Sequence, residues 1–232
     1  MENQSLRLFI LGATGGTGRQ LVNQALNRNH RVTAFVRSPH KLGPPRDGLT
    51  VIQGNILDVN ALAAALPGHD AVLSALGAPG PAKNTVVSES AGATVAAMKA
   101  AGLRRLLLVG VAVLFPNTGV LASLLRNTLL RNIAIDHAEM ERIVKASGLD
   151  WTIARPPRLT NGPCRQHYGI TDDHLPQGSG GGAASISRAD VADFLLNEVE
   201  YTAHLHRIVG IADTRSSREI TSAPASSPQT SR

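Results

Sequence analysis

Residues 6 to 27 read LRLFILGATGGTGRQLVNQALN and join an apolar run to a glycine-rich turn. The run from Leu6 to Leu11 is nearly continuous in apolar residues, which is typical of a parallel strand covered on both faces. From Gly16 onward the apolar residues recur at helical spacing, so a helix N-terminus with its partial positive charge points at the turn. The sequence therefore predicts a βα unit with room for a pyrophosphate at the turn.

The glycines of the turn are Gly12, Gly15 and Gly18, spaced GxxGxxG. The first permits a tight turn, the second lets a ligand approach the backbone, and the third allows close packing of helix on strand. A second β-branched strand, Arg31 to Val36, follows about 20 residues on, as a dinucleotide-binding unit requires. We interpret the turn as a dinucleotide site; the alternative is an ordinary βα turn in which the three glycines coincide by chance.

Arg37 follows the second strand, where an enzyme selective for the non-phosphorylated cofactor places an acidic residue on the ribose 2′-hydroxyl. With help from Lys41 and the hydroxyl of Thr14, Arg37 is suited to clamp a 2′-phosphate through charge-assisted hydrogen bonds. The sequence therefore favours NADP(H). An exposed arginine at a strand end, with no ligand, is the alternative.

Strand and helix patterns alternate after this point, which predicts an α/β fold with a doubly wound parallel sheet. The predicted strands are residues 50–53, 71–74, 104–111 and 149–155, and the predicted helices are residues 60–66, 86–101, 119–132 and 136–147. Asn55 and Ile56 lie just beyond the third strand, where Asn55 is placed either to bond adenine or to form a simple turn. The small residues of the loop from Ala75 to Pro81 let a ribose lie close.

The chain from Arg158 to Gly182 is predicted to be irregular, which suits a small substrate flap or a surface excursion. Its proton-active side chains are Cys164, His167, Tyr168 and His174. A helix capped by Ser187 and a last edge strand from Arg207 to Ile211 follow. We expect one domain over residues 1–213 and a disordered tail, rich in serine, threonine and proline, over residues 214–232.

The composition is that of one sizeable core, with 232 residues of which 43% are hydrophobic. The single cysteine, the polar start MENQS and the lack of a bilayer-length apolar run predict a cytoplasmic protein with no membrane contact. The net charge of +6 comes without a long basic cluster, so we expect no nucleic acid. A cleft for anionic small ligands accounts for the positive charge, as do scattered solvated arginines, and the partner we expect is a small anionic or aromatic substrate. No metal site is expected.

Several motifs together resemble the atypical short-chain dehydrogenase/reductase group, which includes biliverdin reductase B (flavin reductase) and the NmrA-like NAD(P)H-binding proteins. They are GATGGTG, AFVRSP, SALGA, DHAEMERIVKASGLDWTIARPPRLTNGP and SISRADVADFLL, and the likeness spans roughly residues 6 to 211. The resemblance implies a Rossmann-type fold, NADP(H), and reduction of flavins or linear tetrapyrroles.

The resemblance also implies which residues meet the cofactor. They are Gly12, Thr14, Gly15, Gly16 and Thr17 at the phosphates, with Gly18 completing the turn, Arg37 at the 2′-phosphate, Leu76 and Gly77 at the ribose side, and Pro156 and Pro157 at the nicotinamide. Arg158 takes the place of a histidine near the substrate, and His137 lies on the helix lining the pocket; both are candidate catalytic residues. Val109 and Val111 belong to the fifth-strand segment, where biliverdin reductase B has a serine hydroxyl facing the nicotinamide.

Two departures from the family bear on catalysis. Neither Tyr168 nor Tyr201 has a lysine four residues on, so the Tyr-x-x-x-Lys acid pair is missing. Val111 replaces the serine, and valine donates no proton. Three functions remain open: a reductase of a planar conjugated acceptor, a non-catalytic NmrA-like sensor of NADP(H), and an isomerase or dehydratase using the cofactor transiently.

Overall fold

The structure is a computed structural model that describes residues 5–78, 80, 82–116, 128, 130–177 and 184–214. Most of the helix predicted over residues 119–132 therefore lies outside the described residues, as do the GSGGG segment of residues 178–182 and all of the predicted tail except Thr214. No helix in the described ranges is long and apolar enough to cross a membrane.

Eight strands form one sheet in the order β3-β2-β1-β4-β5-β6-β10-β8, and all neighbours are parallel except β10 and β8. The strands of this sheet are β1 Arg7–Leu11, β2 Arg31–Val36, β3 Leu49–Gln53, β4 Ala71–Ser74, β5 Arg105–Val109, β6 Asp150–Arg155, β8 Tyr168–Asp172 and β10 Arg207–Asp213. The strand order reverses between β1 and β4, and a crevice at such a switch point is where open α/β sheets bind ligands.

Helices cover both faces of the sheet, as the doubly wound prediction requires. They are α1 Gly16–Asn27, α2 Val59–Ala65, α3 Val86–Ala100, α4 Arg131–Lys145 and α5 Arg188–Tyr201. Alternate residues of β1 enter two separate cores: Leu8 and Ile10 pack with α1 and α5, whereas Phe9 and Leu11 pack with α2, α3 and α4. Every second residue of a strand faces the same side, so a strand buried on both faces reads as the continuous apolar run seen in the sequence.

The region predicted to be irregular, Arg158 to Gly182, instead contains two strands, β7 Arg158–Thr160 and β8. The first pairs in parallel with β9, Ser185–Ser187, as a separate two-stranded sheet. Because β8 pairs antiparallel with β10, the strand predicted at the edge is internal and β8 is the edge. The chain that follows β8 packs closely on Gly210 of β10, since a Cβ at that position would clash with the His174 carbonyl.

Two predicted boundaries near the site were also wrong. The fifth strand ends at Val109 rather than residue 111, and a 3₁₀ turn, Ala112–Leu114, follows it. The helix predicted to start at residue 136 starts at Arg131. The pattern is obscured here because Ile135 is apolar but exposed, so the apolar residues at this end of the helix do not all lie on its buried face.

Candidate cofactor site

The glycine turn packs against the carboxyl end of β4. Gly12 has a φ of +75°, and a Cβ on it would lie 2.7 Å from the carbonyl oxygen of Ala75. A Cβ on Gly18 would collide with the Gly12 carbonyl, so α1 packs against the turn at a distance that excludes a side chain at position 18. The Gly15 amide donates to the Gly12 oxygen at 2.9 Å and closes the turn. Two of the three glycines are thus required by the backbone itself.

Gly15 and Gly16 form the open face of the turn, and both are exposed. The first hydrogen bond of α1 is donated by the Arg19 amide to the Gly15 oxygen at 2.9 Å. The amides of Gly16, Thr17 and Gly18 come before it, in the first turn of the helix, where backbone donors have no acceptor within the helix. A side chain on Gly15 would fill the space in front of them. The turn therefore has donors and open space where the sequence predicts a pyrophosphate, and Thr17 is buried.

The segment expected to hold the 2′-phosphate lies beside the turn. Arg37 follows β2 and is exposed, as is Lys41 in the 3₁₀ helix Pro39–Leu42. Arg19 joins this segment to the turn, since its Nε donates to the Thr14 carbonyl at 3.1 Å and its Nη2 to the Lys41 carbonyl at 2.5 Å. The sequence reasoning missed Arg19, although its position one residue after the third glycine was visible.

The adenine and ribose candidates lie at the ends of β3 and β4. The Asn55 side-chain oxygen accepts the Leu57 amide at 3.1 Å, so Asn55 forms the local turn that was the alternative to adenine binding. Ile56 and Leu76 are half-buried against the core that contains Phe9. Gly77 is exposed, and nothing within 4 Å would meet a Cβ on it, which leaves the small-residue loop open at this edge.

The nicotinamide candidates lie at the ends of β5 and β6, which two hydrogen bonds join. The Gly110 amide donates to Ala154 at 2.7 Å and the Ala112 amide donates to Pro156 at 3.0 Å. Pro156 is buried, whereas Val109, Val111 and Pro157 are half-buried. Val109 packs against the core that contains Ile10, and a valine side chain has no proton donor, so neither valine supplies an acid at this end of the sheet.

His137 is buried on α4, with 3% of its surface exposed, and its Nδ1 has no hydrogen-bond partner among the described residues. Burial lowers the pKa of this imidazole, although the charges of Asp136 and Glu141 oppose the shift. The ring is therefore neutral at neutral pH. A neutral imidazole is a poor general acid at that pH, which weakens His137 as a catalytic candidate.

Beneath the ends of β5 and β6 lies a buried ion pair that the sequence reasoning missed. Glu141 of α4 accepts from the Arg155 Nε and Nη2 at 2.8 and 2.6 Å, and the guanidinium lies 4.6 Å from the ring centroid of Phe115. Gly110 lies against the pair, since a Cβ on it would be 3.4 Å from the Glu141 Oε1. The pair fixes α4 to the strand that carries Pro156.

The predicted flap residues divide into bound and free side chains. The Tyr168 hydroxyl donates to Asp193 at 2.7 Å, and burial, reinforced by this bond, raises its pKa. Cys164 is exposed, but desolvation by its neighbours and the charges of Asp193 and Asp190 raise the pKa of its thiol to about 11. These two groups are poorly suited to proton transfer at neutral pH. Arg158, on β7, and His167 are exposed.

A family model described as NAD(P)H-binding matches residues 12–201. The chain belongs to this NAD(P)H-binding family. Within the described residues, no cluster of three or more histidine, cysteine or acidic side chains is placed to hold a metal ion.

Several individual proteins are similar to this chain in sequence or in fold. The photosystem II assembly factor Ycf39 of Synechocystis is 39% identical over 71 residues, which are 30% of this chain and 22% of that protein. A Veillonella parvula short-chain dehydrogenase/reductase, solved with NADP, is 20% identical with a TM-score of 0.74 over 90% of this chain and 95% of its own. A Streptococcus pneumoniae protein described as a candidate NADH-flavin reductase is 23% identical with a TM-score of 0.74, covering 90% and 100%. At these identities the two structures show the fold alone.

Proposed function

We propose that the protein is an NADPH-dependent reductase that delivers a hydride to a planar conjugated acceptor, either a flavin or a linear tetrapyrrole. The observation that carries the proposal is that the end of β5 holds two half-buried valines, Val109 and Val111, in the segment where the family resemblance implies a serine hydroxyl facing the nicotinamide. Membership of the NAD(P)H-binding family supports the cofactor. Of the two acceptors, the missing acid favours the flavin, because a site with no poised proton donor suits an acceptor that needs none from the protein.

When bound, NADPH supplies a hydride. The chain's own residues orient the reactants, since the ends of β5 and β6 are held together by the amides of Gly110 and Ala112, and correct orientation is the main contribution that such a site can make. A reduced flavin takes its proton from solvent at the ring nitrogens. An isolated ketone would need an acid at its oxygen, and the pKa shifts of Tyr168 and Cys164 disfavour those groups.

Arg158 gives the proposed substrate its charge preference. Its exposed guanidinium lies two residues beyond Pro156, on β7, where the family resemblance places a substrate-facing side chain. A phosphate or propionate on the acceptor would receive charge-assisted hydrogen bonds from it. We therefore propose FMN or an anionic tetrapyrrole over an uncharged acceptor, and a cytoplasmic location in keeping with a single cysteine.

A second candidate is a non-catalytic sensor of NADP(H) redox state, like the NmrA-like proteins. Val109 and Val111 are also compatible with this function, because a protein that only binds the cofactor has no need of an acid. The missing Tyr-x-x-x-Lys pair points in the same direction. No feature of the described residues favours an isomerase or dehydratase.

NADPH oxidation with FMN, riboflavin and biliverdin, each against a blank without acceptor, separates the two candidates. Turnover of any acceptor supports the reductase, whereas tight NADPH binding without turnover supports the sensor. Arg158→Gln extends the test, because it is expected to raise the KM for FMN and leave the KM for riboflavin unchanged. Equal effects on both acceptors would argue against a phosphate contact at Arg158.

A further inference from the structure

Arg188 lies against the glycine turn although it is distant in sequence. It is the first residue of α5, and a Cβ added to Gly16 would lie 2.6 Å from its Cδ, 2.7 Å from its Nε and 3.6 Å from its Cζ. The arginine side chain therefore crosses the N-terminus of α1 in van der Waals contact. A side chain at position 16 would force the arginine to move from this place.

The surrounding backbone fixes the start of α5 beside the start of α1. Ser187 caps α5, since its hydroxyl accepts the Asp190 amide at 2.8 Å and donates to the Asp190 carboxylate at 2.7 Å. Along the two helices, Gln24 of α1 donates to the Ala189 carbonyl at 2.8 Å. The backbone of Arg188 is therefore held beside the glycine turn by the hydrogen bonds of its neighbours, Ser187 and Ala189.

The charge of Arg188 is not neutralised by any described residue. Its one hydrogen bond among them runs from Nη1 to the Asn161 side-chain oxygen at 2.7 Å. Other arginines of the described chain have a carboxylate within 4.0 Å: Arg28, Arg104, Arg105, Arg142 and Arg155. Arg188 differs from these five, and is like Arg19 and Arg46, in that it bonds a neutral oxygen, which leaves donors available on a planar fork suited to phosphate.

The position is suited to an anion. Helix N-termini carry partial positive charge and are stabilised by anions rather than by cations. The first turn of α5 has its own acidic residue, Asp190, whereas the first turn of α1 has none and lies against the guanidinium of Arg188 at Gly16. A negatively charged group in front of the turn would interact favourably with both the α1 N-terminus and Arg188.

We propose that Arg188 binds the pyrophosphate of the cofactor, which it holds against the amides of the glycine turn. The inference rests on NAD(P)H binding and deepens the proposed function without requiring turnover. It gives a role to the SISRADVADFLL motif, and it makes Asn161 a positioning residue that holds the guanidinium. The two arginines would then bind different phosphate groups of NADPH, Arg37 the 2′-phosphate and Arg188 the diphosphate.

Calorimetry with fragments of the cofactor tests this division. ADP carries the 5′-diphosphate, and 2′-AMP carries only the 2′-phosphate. Arg188→Gln is expected to weaken ADP, NADH and NADPH by about tenfold or more, as loss of a charged hydrogen bond implies, and to leave 2′-AMP within about twofold. Arg188→Met, which keeps the aliphatic packing over Gly16, should behave alike. The matched control is Arg207→Gln, an exposed arginine at the amino end of β10.

The outcomes distinguish this proposal from the reductase assignment. Thermal denaturation shows whether the two Arg188 variants are folded. If native protein binds NADPH but both folded variants bind ADP as tightly as native protein does, Arg188 has no pyrophosphate contact. Equal weakening of ADP and 2′-AMP would also overturn it, since a general loss of charge would then explain the effect. Native protein that binds ADP but reduces no acceptor would sink the reductase alone. Native protein that binds neither ADP nor NADPH would overturn both.

Discussion

The carboxylate of Asp136 on α4 accepts the hydroxyl of Ser88 at 2.6 Å and the amide of the same residue at 2.9 Å, at the N-terminus of α3. It also accepts the amide of Val87 at 3.0 Å. All three residues are buried, so one helix receives its cap from another. The cap holds together the two helices that cover the sheet beneath the proposed nicotinamide position.

Asp136→Ala is expected to lower the free energy of unfolding by about 2–4 kcal/mol, because several buried donors would lose their acceptor at about 1–3 kcal/mol each with partial relaxation. Asp58→Ala is the matched control. Its carboxylate caps α2 through one exposed bond, to the Ala61 amide at 3.0 Å, and should cost about 1 kcal/mol. Urea unfolding measures both. A smaller effect at Asp136 than at Asp58 would show that water or a shifted helix replaces the cap.

Arg37→Gln is expected to remove the preference for NADP(H) over NAD(H), which we predict to be at least about tenfold in the native protein since a charge-assisted contact contributes roughly 1.5–3 kcal/mol. Arg31→Gln is the control, because Arg31 is an exposed arginine at the opposite end of the same strand. Calorimetry with both cofactors gives the ratio. Equal native affinities, or a preference that survives Arg37→Gln, would remove Arg37 from the site.

The central fold could be predicted because its signals are local. The apolar run of β1, the glycine turn and the helical spacing of α1 each need only neighbouring residues, and β2 and β4 were predicted with their observed bounds. The glycine roles follow from the same stretch: Gly12 has its positive φ and Gly18 lies against the Gly12 carbonyl. The predicted position of the site, at the carboxyl ends of the strands, follows from the rule that open α/β sheets bind ligands there.

The remaining features depend on contacts distant in sequence. The edge strand β8 is held by pairing with β10, and the segment Tyr168 to Asp172 has no apolar run of its own. Arg188 meets Gly16, and Asp136 meets Ser88, only because the fold brings separate helices together. Tyr168 was placed on a flap, whereas its hydroxyl is bound to Asp193 of α5. A local pattern contains no information about such partners.

The buried imidazole of His137 predicts a pH dependence of stability. Its pKa in the folded protein is lowered, chiefly by burial, below the value of about 6.5 expected in the unfolded chain. As the pH falls below about 6.5 the unfolded chain binds a proton that the folded protein does not, so stability falls by up to about 1.4 kcal/mol per pH unit. Above that pH the loss is absent.

His137→Gln should therefore lose less stability than native protein between pH 7.5 and pH 5.5, by at most about 1.4 kcal/mol. Urea unfolding at both pH values gives the difference. His167→Gln, at an exposed histidine, is the control and should follow the native protein. Parallel curves for native protein and His137→Gln would mean that the imidazole gains its proton while folded.

Gly15→Val is expected to abolish cofactor binding and leave the protein folded. The backbone of Gly15 has a φ of −76°, which valine adopts, and the only described atom within 4 Å of an added Cβ is the Gly12 oxygen at 3.2 Å. The side chain would therefore project into the pyrophosphate space. Gly92→Val is the control at an open position on α3. Native-like NADPH affinity in folded Gly15→Val would refute the proposed use of the turn.

Val111→Ser tests the chemistry at the end of β5. Val111 is half-buried with an extended backbone at φ −138° and ψ 133°, so serine should be accommodated without strain. We expect flavin reduction by native protein to be measurable and to change by less than about tenfold in the variant, because solvent can protonate reduced flavin and a protein acid adds little. Val113→Ser, two residues further along, is the matched control.

Biliverdin is expected to respond more strongly to the same substitution. Its reduction requires a proton at a ring nitrogen, and a positioned general acid typically contributes about 10²- to 10⁴-fold, so a serine hydroxyl or a water ordered on it should raise this activity well above the native level. Steady-state rates for both acceptors, with NADPH affinity measured in each protein, give the comparison. A gain of several hundredfold in flavin reduction from a near-zero native rate would reverse the conclusion. The native valine would then have removed an activity that the site otherwise supports, and the sensor would be the better assignment.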